Sequence, residues 1–352
     1  MKGLLLIGGF GTRMRPFTLT TPKALLPVVN IPFIKYQFQL LKKYNVDEII
    51  LGVGYKGEEF KKIVDIGKKM GLKVYLSYEN KPLGTAGGIR NAYKFLKGKE
   101  PFFVFNGDIL ADFNLEKILN FHKEKNAYVT IGLVRVDNPS AFGLVITDEN
   151  GKITKFIEKP KSEEIISDTI NAGVYVFQPE VLEEIPPGKN VSVEKETFPQ
   201  ILKEGKEMFG YVHYGYWLDV GTIDKFKKAN FDVLDGKISL AYQKSERNIN
   251  VDSSSNVPGD ISVDGKLVVG KNVMVKNGVK IKGKVIVGDD CFVGENCEIE
   301  NSIIFRKTVI GNNCKIENSV IGSEVIIKDN CYIKNMSLAD RSLIYDFTKS
   351  GE

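Results

Sequence analysis

The C-terminal third of the chain carries a repeat that few folds can accommodate. From residue 261 onward an aliphatic residue or a cysteine recurs at every sixth position, and after nine such positions the spacing slips by one residue. A period of six with Gly and Asn at the turns is typical of a parallel β-helix in which each triangular coil takes about three repeats. A β-sandwich is the alternative, but its strands do not keep an integer period over so many repeats. The periodic positions are Ile261, Leu267, Val273, Val279, Val285, Cys291, Cys297, Ile303 and Val309, continued by Cys314 and Val320.

The four cysteines lie within this repeat. Cys297, Cys314 and Cys331 are 17 residues apart, which is close to one coil, so we expect them to stack on one face of the β-helix. A thiol at an inward position acts as a small hydrophobic group. Because no CxxC pair and no neighbouring histidine accompanies them, we expect no zinc site. We expect reduced cysteines with a structural role.

The chain before residue 240 alternates strand-like runs with helical patterns, which predicts an α/β domain with a Rossmann-like, mostly parallel sheet. Ligands bind such sheets at the carboxyl ends of the strands. The patterns divide the chain into an α/β domain over 1–240, a Ser-, Asn- and Gly-rich linker over 241–260 and a β-helix over 261–346. The strand-like runs are Lys2–Ile7, Glu48–Val53, Lys73–Ser77, Phe102–Phe105 and Tyr128–Val134.

Composition narrows the class of ligand. The net charge is +5, with 43% hydrophobic and 26% charged residues, as in ordinary globular proteins. This mild basic excess suits small anions, but no run of basic residues interleaved with aromatic ones indicates nucleic acid. No segment approaches the roughly 18 apolar residues that span a bilayer. We expect a cytoplasmic protein with neither nucleic-acid nor membrane partners.

The stretch "GGFGTRMRP", from Gly8 to Pro16, follows the first strand. Glycines allow a tight bend whose N–H groups face an anion, and the two arginines add donors shaped for phosphate oxygens. The stretch is not the dinucleotide-binding fingerprint, because Met14 stands where its third glycine would be. It is also not GxxxxGK[ST]. It therefore predicts a phosphate-binding loop of another kind.

With its continuation, "GGFGTRMRPFTLTTPKALLPV" resembles the signature of the sugar-phosphate nucleotidyltransferases. The motifs "PLGTAGGI", "FNGDIL", "FGLV", "FIEKP", "NAGVYVF" and "YWLDVGT" follow in the order of that family. The resemblance covers the whole chain, because many members carry a C-terminal left-handed β-helix, and it is strongest to the mannose-1-phosphate guanylyltransferases. It implies transfer of a nucleotidyl group from a nucleoside triphosphate, GTP, to a hexose 1-phosphate, mannose 1-phosphate, with release of pyrophosphate.

The resemblance also implies roles for individual residues. The expected catalytic residues are Arg13, Lys23, Asp108 and Asp219, of which the two aspartates would hold Mg²⁺. The expected nucleotide-binding residues are Leu6, Gly8, Gly9, Gly11, Thr12, Arg13, Glu79, Gly84, Thr85 and Ala86. The expected sugar-phosphate-binding residues are Gly143, Glu158, Lys159, Asn171 and Gly173.

The chemistry fits a chain with only two histidines. The second pKa of a phosphate monoester is about 6, so the attacking oxygen is already ionised near neutral pH and no general base is needed. Catalysis then consists of positioning and charge neutralisation. We expect His122 and His213 to be structural or exposed.

Glu79 bears on the choice of base. It stands where thymidylyl enzymes and many uridylyl enzymes of the family have glutamine. A carboxylate can accept hydrogen bonds from both the N1–H and the 2-amino group of guanine, so Glu79 favours GTP. The alternative is a thymidylyl-, uridylyl- or adenylyltransferase acting on glucose 1-phosphate.

Two further alternatives concern the chain as a whole. The family fold also serves non-catalytic regulatory or scaffold subunits, but these would be expected to lose residues such as Arg13, Lys23, Asp108 or Asp219, and all four are present. A β-helix that transfers acyl groups would need a histidine base, and none follows His213. We interpret the β-helix as an assembly or regulatory surface that supports a homo-oligomer.

Overall fold

The structure is a computed structural model that describes residues 1–54, 57–242 and 248–351. Its contacts separate two compact units, Met1–Phe10 with Tyr36–Asp219, and Gly11–Lys35 with Val220–Glu352. The helices are α1 (Ile34–Lys43), α2 (Lys61–Lys69), α3 (Gly84–Asn91), α4 (Tyr93–Leu96), α5 (Leu115–Glu124), α6 (Val181–Glu184), α7 (Phe198–Lys203) and α8 (Ile223–Leu234).

The strands up to Asp219 have two to nine residues each, and most of the helices lie between them. In chain order they are β1 (Lys2–Leu6), β2 (Pro27–Val28), β3 (Ile31–Pro32), β4 (Glu48–Val53), β5 (Lys73–Tyr78), β6 (Phe102–Asn106), β7 (Ile109–Ala111), β8 (Val129–Arg135), β9 (Gly143–Thr147), β10 (Ile153–Glu158), β11 (Thr169–Phe177), β12 (Met208–Val212) and β13 (Trp217–Asp219).

The first unit is built on a nine-stranded sheet in which β5, β4, β1 and β6 run parallel. This confirms the predicted Rossmann-like sheet, and antiparallel pairs formed by β11 with β6, β8 and β9 extend it on one side. Its apolar runs are long because both faces are covered, and Leu4, Val104 and Tyr175 have no exposed surface. A separate ribbon pairs β7 antiparallel with β13.

The second unit contains the β-helix. Its strands are β14 (Ile249–Val251), β15 (Ser262–Val269), β16 (Met274–Val275), β17 (Lys280–Val287), β18 (Phe292–Val293), β19 (Glu298–Glu300), β20 (Ile303–Ile304), β21 (Val309–Ile310), β22 (Lys315–Glu317), β23 (Val320–Ile321), β24 (Ile326–Ile327), β25 (Tyr332–Lys334), β26 (Ser337–Leu338), β27 (Leu343–Ile344) and β28 (Lys349–Ser350). Each pairs in parallel with strands of the neighbouring coils, which confirms a parallel β-helix.

The register of the coils differs from the predicted one at a single place. Lys282 pairs with Glu300, an offset of 18 residues, but Ile286 pairs with Ile303, an offset of 17. The slip therefore lies between Glu300 and Ile303, before the place where the sequence period predicted it. As a consequence Ser302 and Thr308 are completely buried, whereas Val309 is 41% exposed. The predictions that Ile303, Val309 and Val320 point into the coils are therefore wrong. Ile303 pairs with Ile286 rather than with the inward Val285, and Val320 pairs with Ile303, because one residue of slip moves each side chain to the other face.

The predicted division of the chain at 240 and 260 also differs from the structure. The segment 241–260 is more than a linker, because β14 within it pairs with β15 and starts the β-helix. Residues 243–247 lie outside the described residues. Helix α8 and the segment Gly11–Lys35 belong to the second unit, together with the β-helix, and not to the unit that contains the sheet.

The cysteines match the prediction. All four are free and buried. Cys297, Cys314 and Cys331 follow one another at the 17-residue offset of the coils, and each thiol donates a hydrogen bond of 3.0 Å to the carbonyl 14 residues later. Their role is to fill the interior of the coils.

Within the described ranges, none of the helices combines the length and the apolar character that crossing a bilayer requires.

Candidate active site

Glu79 follows β5 and occupies a notch whose walls are glycines. A Cβ atom on Gly88 would lie 2.9 Å from Glu79 Oε1, and one on Gly8 would lie 3.3 Å from the same oxygen. The Leu83 N–H donates to Glu79 Oε2 at 3.3 Å. Burial raises the pKa of the Glu79 carboxyl, and the Leu83 hydrogen bond opposes that change in part. The structure thus brings Gly8 and Glu79, both predicted to bind nucleotide, into contact distance of one another.

The loop before α3 is tied to the segment that precedes α7. Gly84 has a φ of +70°, and a Cβ there would lie 2.5 Å from the Val191 carbonyl, so both space and conformation require glycine. The N–H of Ala86 donates to the same carbonyl at 3.0 Å. The Thr85 hydroxyl accepts from Val193 N–H at 2.8 Å and donates to Glu194 Oε2 at 2.9 Å.

Glu194 is a residue that sequence reasoning missed. It lies in the π-helical turn Val193–Thr197 and accepts hydrogen bonds from the Thr85 and Ser192 hydroxyls, both at 2.9 Å. No family motif quoted from the sequence includes it. The only signal in the sequence was chemical. The hydroxyl groups of Thr85, in "LGTAGG", and of Ser192 each need a hydrogen-bond acceptor.

Asp108 lies in a tight turn that packs against the end of β1. The Gly107 N–H donates to the Leu6 carbonyl at 2.9 Å. A Cβ on Gly107 would lie 2.5 Å from that carbonyl oxygen and 2.3 Å from Ile7 Cγ2, so only glycine fits. Leu6 and Ile7 precede Gly8 directly, so this turn sets Asp108 beside the start of the glycine-rich loop.

Asp219 is placed by the β7–β13 ribbon. Its partner across the ribbon is Ile109, the residue after Asp108. The two aspartates are 111 positions apart in sequence, but this register sets them at the same end of the ribbon. The structure therefore brings together the two residues that were predicted to share a metal ion.

The donor set fits Mg²⁺. This ion keeps several waters and is usually held by one or two carboxylates together with substrate phosphates. Asp108 and Asp219 supply two carboxylates, and among the described residues no group of three or more His, Cys, Asp and Glu side chains offers a complete protein cage. Such an open set suits an ion that arrives with the triphosphate.

The predicted sugar residues fall on β9, β10 and β11. Gly143 pairs with Glu158 across β9 and β10, and a Cβ on Gly143 would lie 3.1 Å from Glu158 Oε2. Burial, followed by the charge of Glu194, raises the pKa of the Glu158 carboxyl. Lys159 is exposed and has a φ of +52°, which turns the chain directly after Glu158.

Asn171 and Gly173 lie in an irregular stretch of β11 that contacts Asn106, the last residue of β6. The Asn171 amide donates to the Tyr175 hydroxyl at 2.9 Å, and its carbonyl oxygen accepts from Gly173 N–H at 2.9 Å. Gly173 has a φ of +71°, and a Cβ there would lie 2.8 Å from the Asn106 amide nitrogen. Asn106 is two residues before Asp108, so the stretch that was predicted to bind the sugar contacts the strand end that leads to Asp108.

Arg13 and Lys23 lie in the second unit, in the segment Gly11–Lys35. Arg13 is exposed in the 3₁₀ turn Thr12–Met14, which follows Gly11 with its φ of +60°. A Cβ on Gly11 would lie 3.0 Å from Thr18 Cγ2 and 3.5 Å from Lys23 Cβ. Within this segment, Gly11, Thr12, Arg13 and Lys23 are therefore neighbours.

The histidines take structural positions. His122 has no exposed surface and lies between the Thr130 hydroxyl at 2.9 Å and the Gln178 amide at 3.2 Å. His213 contacts Asp112 at 3.0 Å, and its ring stacks on Phe113 with centroids 4.0 Å apart.

His122 leads to a prediction about pH. Burial lowers its pKa from 6.5 to about 4 in the folded protein, so on acidification the unfolded chain binds the proton first. Its contribution is fully present above pH 6.5 and is lost as the pH falls toward 4, at about 1.4 kcal/mol per pH unit. We expect the free energy of unfolding, measured with urea, to fall by about 2 kcal/mol from pH 7 to pH 5 through this group. His122→Gln should remove this part of the dependence of the unfolding free energy on pH. An equal dependence on pH in the two proteins would contradict the assignment to His122.

Comparison with known families agrees with both halves of the fold. Residues 2–236 match the nucleotidyl transferase family. Residues 246–345 match the EIF2B subunit epsilon LbH domain, which is consistent with a left-handed form of the β-helix.

Several relatives share one name. The mannose-1-phosphate guanylyltransferase of Mycobacterium tuberculosis is 40% identical over 237 residues, which cover 67% of this chain and 65% of the relative. The mannose-1-phosphate guanylyltransferase catalytic subunit beta of Drosophila melanogaster is 40% identical over 227 residues, covering 64% and 60%. The chain thus spans between 60% and 65% of the length of these two relatives.

A solved structure has a similar fold. HddC from Yersinia pseudotuberculosis, complexed with GMP-PN, superposes with a TM-score of 0.56 at 26% identity, covering 66% of this chain and 99% of HddC. Since the family match extends over more than half of its residues, the chain belongs to the nucleotidyl transferase family.

Proposed function

We propose that this chain transfers a guanylyl group from GTP to mannose 1-phosphate and releases pyrophosphate. The observation that carries the proposal is the register of the β7–β13 ribbon, which sets Asp219 across from Ile109 beside Asp108. Support for the substrates comes from the relatives named mannose-1-phosphate guanylyltransferase.

The residues suggest how the reaction is promoted. The sugar-phosphate oxygen attacks the α-phosphorus without a base, because a phosphate monoester is mostly dianionic near neutral pH. Arg13 and Lys23 are fixed donors for the triphosphate, and Lys159 is a cation for the sugar phosphate. Asp108 and Asp219 would hold Mg²⁺, which when bound neutralises phosphate charge. Catalysis would then consist of orientation and electrostatic stabilisation by preorganised groups.

Glu158 supports the choice of a hexose as acceptor. The carboxylate of Glu158 can accept hydrogen bonds from sugar hydroxyls, and Glu194 lies close enough for its charge to raise the pKa of Glu158.

The direct test is a matrix of GTP, dTTP, UTP and ATP against mannose, glucose, galactose and N-acetylglucosamine 1-phosphates, followed by pyrophosphate release. We expect the highest kcat/KM for GTP with mannose 1-phosphate. A maximum for dTTP or UTP with glucose 1-phosphate would establish the alternative activity. Absence of turnover with every pair, in a folded protein that binds GTP, would favour a regulatory or scaffold subunit.

Glu79 is predicted to set the preference for GTP. Its carboxylate offers acceptors only, which suits the two adjacent donors of guanine. In Glu79→Gln one acceptor becomes a donor, and a lost hydrogen bond at a buried group is worth about 1–3 kcal/mol. We expect the ratio of kcat/KM for GTP to that for dTTP to fall about tenfold or more. An unchanged ratio in Glu79→Gln would remove the basis for the role of Glu79.

The β-helix supports a homo-oligomer, which we also propose. One of its faces carries an apolar stripe with one residue from each of five successive strands, paired in register. Four of the five side chains are 41–44% exposed, an unusual surface for a protein that stays monomeric. The stripe consists of Met274, Phe292, Val309, Ile326 and Leu343. Light scattering of the full chain tests this proposal, because an oligomer would have a multiple of the mass of one chain.

A cytoplasmic location stays a prediction.

A further inference from the structure

The segment Gly11–Lys35 carries Arg13 and Lys23, and in this structure it is part of the β-helix unit. Its apolar anchor is Phe17, which has no exposed surface. The Phe17 ring lies against Phe305 of the β-helix, with centroids 5.2 Å apart. The Phe305 ring also contacts the ring of Phe226 in α8, with centroids 6.0 Å apart, and Phe305 is only 4% exposed. Three aromatic side chains thus form one buried contact between the segment, the helix and the coils.

Polar contacts hold the segment on either side of this anchor. The Thr20 hydroxyl donates to Asp340 Oδ2. The Asn30 amide donates to the Val287 carbonyl at 2.8 Å, and Val29 N–H donates to Asn230 Oδ1 of α8 at 2.8 Å. Because Asn230 is fully buried and also donates to the Phe226 carbonyl, its orientation is set by the helix.

The anchored residues contact the phosphate-binding ones directly. Thr18, next to Phe17, donates from its hydroxyl to the Gly11 carbonyl at 2.8 Å. Its methyl carbon and Lys23 Cβ both lie close to the space above Gly11. A shift of the turn at Phe17 would therefore move Gly11 and the attachment of Lys23 with it.

We propose that Phe305 and Asp340 of the β-helix are positioning residues that set the Gly11–Lys35 segment for binding the triphosphate. The catalytic part of this inference rests on the proposed function; the anchoring part does not. The β-helix then has a task in the reaction besides assembly, because errors of about 1 Å in positioning can cost a hundredfold in rate.

Asp340 can be tested against a matched control. Asp340 Oδ1 caps the Ser323 N–H at 2.7 Å, and Asp329 Oδ1 caps the Asn312 N–H at 2.7 Å in the same way. Asp340→Ala and Asp329→Ala therefore each remove one turn cap of the β-helix, but only Asp340→Ala also removes the acceptor of Thr20. In the full chain we expect hydrogen exchange of the amides in residues 11–26 to speed up at least fivefold in Asp340→Ala and to match the wild type in Asp329→Ala.

Kinetics test the positioning role in the same proteins. We expect Asp340→Ala to raise KM for the nucleoside triphosphate and lower kcat, with about a tenfold loss in kcat/KM. KM for the sugar phosphate should change less than twofold. Phe305→Ala should act in the same direction, and Phe305→Leu, which keeps most of the buried volume, should restore most of the activity.

Three outcomes would overturn the inference. Unchanged exchange in residues 11–26 of both Asp340→Ala and Phe305→Ala would show that these contacts do not hold the segment. Faster exchange with unchanged kinetics would show that holding it does not matter for the reaction. Equal losses of kcat/KM in Asp340→Ala and Asp329→Ala would show that the loss comes from the missing cap of a β-helix turn and not from the contact with Thr20. If the wild type turns over no substrate pair, the proposed function fails, and exchange together with calorimetric GTP affinity decides the anchoring role alone.

Discussion

Replacing either Asp108 or Asp219 with asparagine is expected to lower kcat at least about a hundredfold, with the fold unchanged by circular dichroism. Asparagine keeps the size of the side chain but removes one negative charge from the place where Mg²⁺ would sit between the protein and the triphosphate. The β7–β13 register sets both carboxylates at one end of the ribbon, so each substitution weakens the same ion site.

The double variant separates a shared ion from two independent roles. If both aspartates act through one ion, the fold loss in kcat of the double variant, Asp108→Asn with Asp219→Asn, should be far smaller than the product of the fold losses of the two single variants. Asp112→Asn is the control, because Asp112 follows strand β7 of the same ribbon, has a side chain that is 40% exposed and contacts His213. Near-full activity of Asp219→Asn at saturating Mg²⁺ would contradict the assignment on that side.

Gly107→Ala is expected to lower the free energy of unfolding by about 3 kcal/mol, at the upper end of the usual cost of overpacking. The added Cβ would lie 2.3 Å from Ile7 Cγ2 and 2.5 Å from the Leu6 carbonyl oxygen, and backbone cannot yield as a flexible side chain can. Relief of the clash must displace the turn that carries Asp108, so we also expect kcat to fall.

Gly98→Ala is the matched control for this substitution, because a Cβ on Gly98 would meet no atom within 4 Å. Urea unfolding of the two variants measures the difference. A loss of stability in Gly107→Ala no greater than in Gly98→Ala would show that the turn can relax at little cost.

The positions of the candidate site were visible in the sequence wherever a motif encodes local geometry, although the roles of these residues stay predictions. Gly84, Gly107 and Gly173 each lie where a Cβ would collide with the backbone or with a neighbouring side chain, so glycine is required there and the motif is visible in the sequence. Glu194 had no such mark, because its task is to accept hydrogen bonds from Thr85 and Ser192, and many sequences can supply an acceptor.

Hydrophobic periodicity by itself determined that a β-helix follows an α/β domain, because only inward positions must be apolar and they recur with the coil. It could not determine where the period slips. The doublets Ile303–Ile304 and Val309–Ile310 are apolar in both phases, and only the pairing of Ile286 with Ile303 selects one of them.

Tertiary structure also decided which unit holds the segment Gly11–Lys35. In sequence this segment continues from the first strand of the sheet, and nothing local separates it. Its placement depends on Phe17 meeting Phe305 and on Asn30 meeting the Val287 carbonyl, contacts between residues more than 250 positions apart. The free energy of such contacts arises only when the whole chain has folded, so no local pattern in the sequence records them.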